Sequence, residues 1–145
     1  MRRARSGAVA VLVTALALGG CGGPPADLFL VERAGSIPGA RLTLLVSDDG
    51  TARCNRGKVL PITSAQIIDA REIARALNGP DDERDGPADK ALRLPPGPGS
   101  ILRYDVRLED GSVSFSDTSR GQPQAFYEVA KLTRDIAKEI CGLPR

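Results

Sequence analysis

The segment 101–109 (ILRYDVRLE) alternates without a break, with Leu102, Tyr104, Val106 and Leu108 on one side and Arg103, Asp105, Arg107 and Glu109 on the other. Successive side chains of an extended chain point to opposite faces, so the pattern predicts a strand with one covered and one wetted face. A sheet with one wetted face is characteristically antiparallel, because parallel sheets are covered on both sides. Asp110-Gly111 follows as a two-residue hairpin signal. That register pairs Leu108 with Val113 and Val106 with Phe115, so both apolar sets meet on one face.

The same arrangement occurs once earlier. In a strand over 41–47, Leu42, Leu44 and Val46 share a face, and Asp48-Asp49-Gly50 fits a three-residue loop with Gly50 at the left-handed position. This register pairs Val46 with Ala52 and Leu44 with Cys54, turning Cys54 into the core. A two-residue Asp49-Gly50 loop would set Arg53 opposite Val46, and burial favours the first choice. Each hairpin leads to a helix. Thr63-Ser64-Ala65-Gln66 has the spacing of a capping box, and Ile67, Ala70, Ile73, Ala74 and Leu77 form an apolar stripe that Asn78-Gly79-Pro80 ends. Pro123 suits a first helical position. Phe126, Val129, Ala130, Thr133, Ile136, Ala137 and Ile140 make the second stripe, which Gly142 and Pro144 close.

A strand over 28–33 and a Gly/Pro turn over 34–39 precede both units. The expected fold is α+β: a β-ββα-ββα chain, two divergent ββα units sharing an antiparallel sheet of about five strands, with two helices packed on one face. At 145 residues there is chain for one core, placed at 28–145. Its longest irregular stretch, 79–100, is acidic first and proline-rich last, with a short extended piece expected over 90–94. A loop of that length is either functional or mobile.

The first twenty residues read as an address. A basic start carrying Arg2, Arg3 and Arg5 precedes the apolar run 7–18, which is too short to span a bilayer as a helix. Leu18-Gly19-Gly20-Cys21 resembles the bacterial lipobox, in which the cysteine receives a diacylglycerol and becomes the mature N-terminus. The resemblance implies a cleaved signal at 1–20, a lipidated Cys21, a tether over 21–27 and residence at the extracytoplasmic face of the cell membrane. A plain signal cleaved near Gly20, or a buried N-terminal helix, is the alternative. Two acyl chains hold a protein to a bilayer stably where one holds it only marginally. Removing the address takes Arg2, Arg3 and Arg5 with it and turns a net charge of +2 into −1, with 17 basic against 18 acidic residues. No basic patch with interleaved aromatics is left to support nucleic-acid binding.

With Cys21 lipidated, Cys54 and Cys141 form an even pair in an exported chain, which favours a disulfide. Two cysteines without histidine supply too few ligands for zinc.

The chain has no histidine, which excludes a Ser-His-Asp or Cys-His centre. Ser112, Ser114, Ser116, Thr118 and Ser119 lie outside any Gly-x-Ser-x-Gly elbow. Asp81, Glu83, Asp85 and Asp89 fall at calcium-loop positions 1, 3, 5 and 9 with Gly86 at 6, but Leu92 stands where a bidentate Glu is needed and Pro87 occupies position 7. A solvated acidic loop explains them better. The charged face of Arg103, Asp105, Arg107 and Glu109 is a candidate binding surface, against the plainer reading of a wetted sheet face. No cofactor is expected.

Val31-Glu32-Arg33-Ala34-Gly35-Ser36-Ile37-Pro38-Gly39 is similar to the opening Val-x-Arg-small-Gly turn of the emfourin-like family. Tyr104-Asp105-Val106-Arg107-Leu108 before a hairpin and a closing helix is similar to that family's second half. The resemblance implies inhibition of thermolysin-like metalloproteases by occupying the cleft, with no chemistry in the inhibitor. The lipobox, the cysteine pair and the acidic-proline loop depart from the family pattern, and no contact residue carries over. The expected function is therefore a membrane-anchored, non-enzymatic lipoprotein that binds an envelope or secreted protein, inhibition of a protease being its sharpest form. The alternative is a structural or assembly component of the envelope.

Overall fold

The computed structural model describes residues 26–80 and 85–144. The predicted signal, Cys21 and most of the tether, as well as Asp81 and Glu83, lie outside the described residues. Eight elements follow in order: β1 (Asp27–Gly35), β2 (Leu42–Ser47), β3 (Thr51–Cys54), β4 (Val59–Pro61), α1 (Ser64–Asn78), β5 (Leu102–Arg107), β6 (Ser112–Ser116) and α2 (Gln124–Glu139). All six strands form one antiparallel sheet in the order β4-β3-β2-β1-β5-β6. The α+β class holds, and β1 stands at the centre with one hairpin unit on each side.

The sixth strand is β4, where about five strands were expected. It is three residues long, too short to show alternation. The turn that makes it is Cys54-Asn55-Arg56-Gly57, closed by Gly57 N–H on the Cys54 carbonyl at 2.8 Å, with Asn55 and Arg56 both at positive φ (50° and 60°). Two left-handed residues are what a type I′ hairpin turn requires. Pro61, which has no N–H to donate, ends β4 on the sheet edge, where proline is tolerated.

The first hairpin has the predicted register: Val46 faces Ala52, Leu44 faces Cys54, and Gly50 sits at φ 81°. The second is shifted by two residues. Val106 faces Val113 and Tyr104 faces Phe115, so Glu109 and Asp110 are the loop and Leu108 N–H meets the Gly111 carbonyl at 2.8 Å. The shift preserves parity, which is why the apolar faces still coincide. Its cause lies at Gly111. A methyl group there would run into the Ala88 carbonyl, so the glycine admits the 86–92 segment and is not spent on turn geometry.

One side of the sheet carries the core. Cys54, Leu44, Val31, Val106 and Val113 are paired in a row across five strands, and Leu42, Arg33, Tyr104 and Phe115 form the next row. Ala70, Ile73, Ala74 and Leu77 of α1 and Phe126, Val129, Ala130, Ile136 and Ala137 of α2 belong to the same buried cluster. The capping box of α1 is complete: Thr63 Oγ1 accepts from Gln66 N–H (3.2 Å) and Gln66 Oε1 from Thr63 N–H (2.9 Å). Gln66 Nε2 also donates to Glu139 (3.0 Å), joining the start of α1 to the end of α2. Pro123 is the N-cap of α2, one position before the expected one. Cys54 and Cys141 are disulfide-bonded with Cα atoms 5.9 Å apart, stapling the end of β3 to the residues after α2.

Within the 79–100 stretch, residues 85–100 are more ordered than their composition predicts. Lys90 N–H bonds Gly86 O (3.2 Å) and Leu92 N–H bonds Pro87 O (2.9 Å), making a tight turn. Leu92 and Leu94 then exchange backbone bonds with Ser114, so Arg93 forms a parallel bridge beside β6.

Candidate functional site

The sheet face away from the helices carries the predicted charged surface. Arg103, Asp105 and Arg107 all project from β5 on this face and are exposed. Glu109 lies beyond the end of β5, in the loop, and borders the surface only where it lines a recess with Arg107. Arg107 Nη2 meets Glu32 Oε2 across to β1 at 3.0 Å, a half-exposed pair of the kind worth about 0–1 kcal/mol. The pairing also lines up Val59, Arg53, Leu45, Leu30, Arg107 and Ser112 as one row across all six strands. Leu30 and Leu45 are half-buried and Val59 is 51% exposed. A shallow recess of about 360 Å³ runs along Leu28, Leu30, Leu45 and Arg107.

A second surface lies at the Gly35 end of β1. Arg33 follows Phe29 and Val31 in inward parity and is 2% exposed. Its Nε donates to Ala40 O (2.8 Å) and its Nη2 to Gly39 O (3.1 Å), so the guanidinium holds the β1–β2 turn from beneath. Burial lowers the Arg33 pKa, and burial raises that of Tyr104, its partner across the β1–β5 ladder; each opposes the shift in the other. Against the turn lies the loop 95–101, joined by Ser36 N–H to Ile101 O at 3.2 Å.

That loop is itself held from beneath. Ser119 Oγ, from a residue 5% exposed, donates to Pro95 O (2.9 Å), and Thr118 Oγ1 donates to Gly97 O (3.0 Å). The Asp117 carboxylate accepts from the N–H groups of Ile101 and Leu102 at 3.1–3.2 Å and from Ser100 Oγ at 3.2 Å. Of the hydroxyls that stood as nucleophile candidates, those of Ser116, Thr118 and Ser119 are thus engaged in structure: Ser119 Oγ also accepts from Ser116 N–H at 2.9 Å, and Ser116 Oγ lies 3.2 Å from Ser119 Oγ.

These clamping residues were missed from the sequence. For Arg33 a signal existed, since strand parity continued from Val31 turns it inward. For 117–119 none did, because the contacts join segments fifteen or more residues apart.

The acidic stretch is divided. Among its described members, Asp85 is paired with Lys90 Nζ at 2.7 Å and Asp89 is exposed. Among the described residues no three His, Cys, Asp or Glu side chains gather to hold a metal ion, and no described helix is long and apolar enough to cross a membrane. No protein-family model, curated protein or solved structure matches the chain.

Proposed function

We propose that the chain is a lipid-anchored binding protein of the bacterial envelope, held at the extracytoplasmic face of the membrane through acylated Cys21 and acting without chemistry of its own. The observation that supports this best is the run of β1. The strand starts at Asp27, the last residue of the expected tether, with Asp27 Oδ1 accepting from Ser47 Oγ and the Ala26 carbonyl accepting from Asp48 N–H, both at 2.8 Å. It ends at Gly35 against the two clamped loops. Nine strand residues separate the ends by roughly 25–30 Å. An anchor at one end thus turns the rigid loops away from the bilayer, toward an envelope or secreted protein. Loops fixed by buried side chains lose little further freedom on binding, which favours affinity.

The sharpest form of this reading is insertion of the loops into the cleft of a secreted thermolysin-type metalloprotease. Incubating the full chain, purified in detergent, with such an enzyme is expected to abolish its activity at micromolar concentration. Undiminished proteolysis would remove the inhibitory form. Photo-crosslinkers at Ser36 and Ile101 in intact membranes are expected to capture a discrete partner. Crosslinking only from the opposite end of the sheet, to abundant envelope components, would favour a structural role. Mass spectrometry of the membrane fraction should find a chain starting at acylated Cys21, and an unmodified soluble form would refute the anchor.

A further inference from the structure

We propose that residues 93–98 (RLPPGP), ending in the Gly99 turn, are the docking element of this surface: a preformed polyproline II segment read by a partner protein through an aromatic-lined groove with an acidic rim. The inference rests on the binding-protein reading and names the chemistry of the partner.

Covalent structure comes first. Leu94, Pro95 and Gly97 each precede a proline, which confines them to extended backbone. The rings of Pro95, Pro96 and Pro98 fix their own φ near −65°. Pro98-Gly99, with Gly99 at φ 72°, then turns the chain back as the central pair of a type II turn.

Burial along the segment has a period of three. Leu94, Gly97 and Ser100 are half-buried, while Pro95, Pro96, Pro98 and Gly99 are exposed. Three residues per turn is the repeat of polyproline II, so one edge packs inward and the other two face solvent. The inward edge is the clamped one: Leu94 N–H on Ser114 O (2.9 Å), Thr118 on Gly97 O, Ser119 on Pro95 O, and Gly97 so close to the Thr118 carbonyl that no side chain fits. The clamp therefore orders three proline rings that bury little themselves. Core stability does not require that; recognition does.

Pro95 and Pro98 stand in the P-x-x-P spacing that aromatic grooves read as a ready-made, low-entropy ligand. Arg93, two residues before Pro95, is exposed, with Nη1 3.5 Å from Ser114 Oγ. Arg103 lines, with Pro96 and Asp105, a recess of about 200 Å³ beside the segment. Two guanidinium groups beside exposed prolines complement carboxylates on the rim of the groove.

The test uses an SH3 domain with an acidic-rimmed groove as the probe, titrated calorimetrically into the full chain in detergent. Saturable micromolar binding is expected. It should weaken at least tenfold in Pro95→Ala/Pro98→Ala and in Arg93→Glu, and severalfold in Ser119→Ala, which keeps the prolines but loosens them. Arg53→Glu on the open sheet face should leave it unchanged. Since the prolines and Arg93 are exposed, their variants should still fold cooperatively. The proline pair should show only the small melting shift that losing proline's restriction of the unfolded chain brings, and Arg93→Glu should melt with the wild type, which separates lost binding from lost folding. No binding by the wild type, or binding indifferent to the proline pair, overturns the proposal. Equal binding by an SH3 domain whose rim acids are replaced by lysine overturns the acidic rim. Detergent binding does not depend on the anchor, so crosslinking from Ser36 without SH3 binding would sink this inference and leave the broader reading standing.

Discussion

The two ββα halves share a plan and are held by different means. The first, from β2 to α1, contains no aromatic residue: its core is Leu42, Leu44, Val46, Ala52, Ala70, Ile73, Ala74 and Leu77. The second stacks three rings through its centre. Tyr104 and Phe115 have centroids 5.1 Å apart, and Phe115 and Phe126 4.5 Å. Aromatic side chains bury large areas and pack with defined geometry. The half that lacks them carries the disulfide instead, tied across to the end of α2. A small domain can be closed by ring packing or by a covalent link; here the second half has the rings, and the link ties the ringless first half to the end of the second.

Removing the link should have the largest effect. The Cys54→Ser/Cys141→Ser double variant frees a closed loop of 87 residues, for which chain entropy gives about 4–5 kcal/mol. Urea titration measures the loss, and amide exchange should show β3 and β4 deprotected before β5 and β6. Uniform deprotection would mean that the halves do not differ in this way. Phe126→Ala removes a fully buried ring from the other half and should lose about 3–5 kcal/mol. A loss near 1 kcal/mol would mean the stack matters less than its geometry implies.

The two Asp-Gly dipeptides sharpen the same contrast. Gly111→Ala forces a methyl into the Ala88 backbone and should destabilise by about 1–3 kcal/mol, as overpacking does. Gly50→Ala meets open space and bears only the left-handed backbone cost, about 1 kcal/mol. A reversed order in urea midpoints would undo the assignment of the second glycine to packing. The smallest effect concerns Tyr104. Burial raises its pKa above the ordinary 10.0, so the neutral phenol stabilises the fold fully below pH 10 and the contribution is lost as pH rises through the folded value. Urea midpoints of the wild type should fall above pH 10, and Tyr104→Phe should flatten that fall. An identical fall in both would remove Tyr104 as its source.

Local signals carried much of this fold. The alternation in β5, the capping box at Thr63, both helical stripes and the first hairpin register are all written in neighbouring residues, and the Cys54–Cys141 bond follows from that register and from cysteine parity. What escaped was decided elsewhere in the chain. The second hairpin slipped by two residues because Ala88, more than twenty positions away, claims Gly111. β4 has no pattern of its own and exists because β3 offers it an edge. The clamp beneath 95–101 joins hydroxyls and carbonyls that no spacing rule connects. For the candidate site, the charged face of β5 was legible through Arg107, whereas the moved register puts Glu109 in the hairpin loop, at the border of that face.

The edges of the sheet have a consequence for life in a crowd. One border strand is three residues long and ends in a proline, and beside the other border lies the Leu92–Leu94 backbone, already bonded to Ser114. Open ladders are what let neighbouring chains zip together. If the chain is anchored as proposed, copies would meet constantly and in similar orientation, and the described strands have little free ladder to offer. Under that proposal, crowding would raise the number of copies at the surface without seeding fibres of the protein itself.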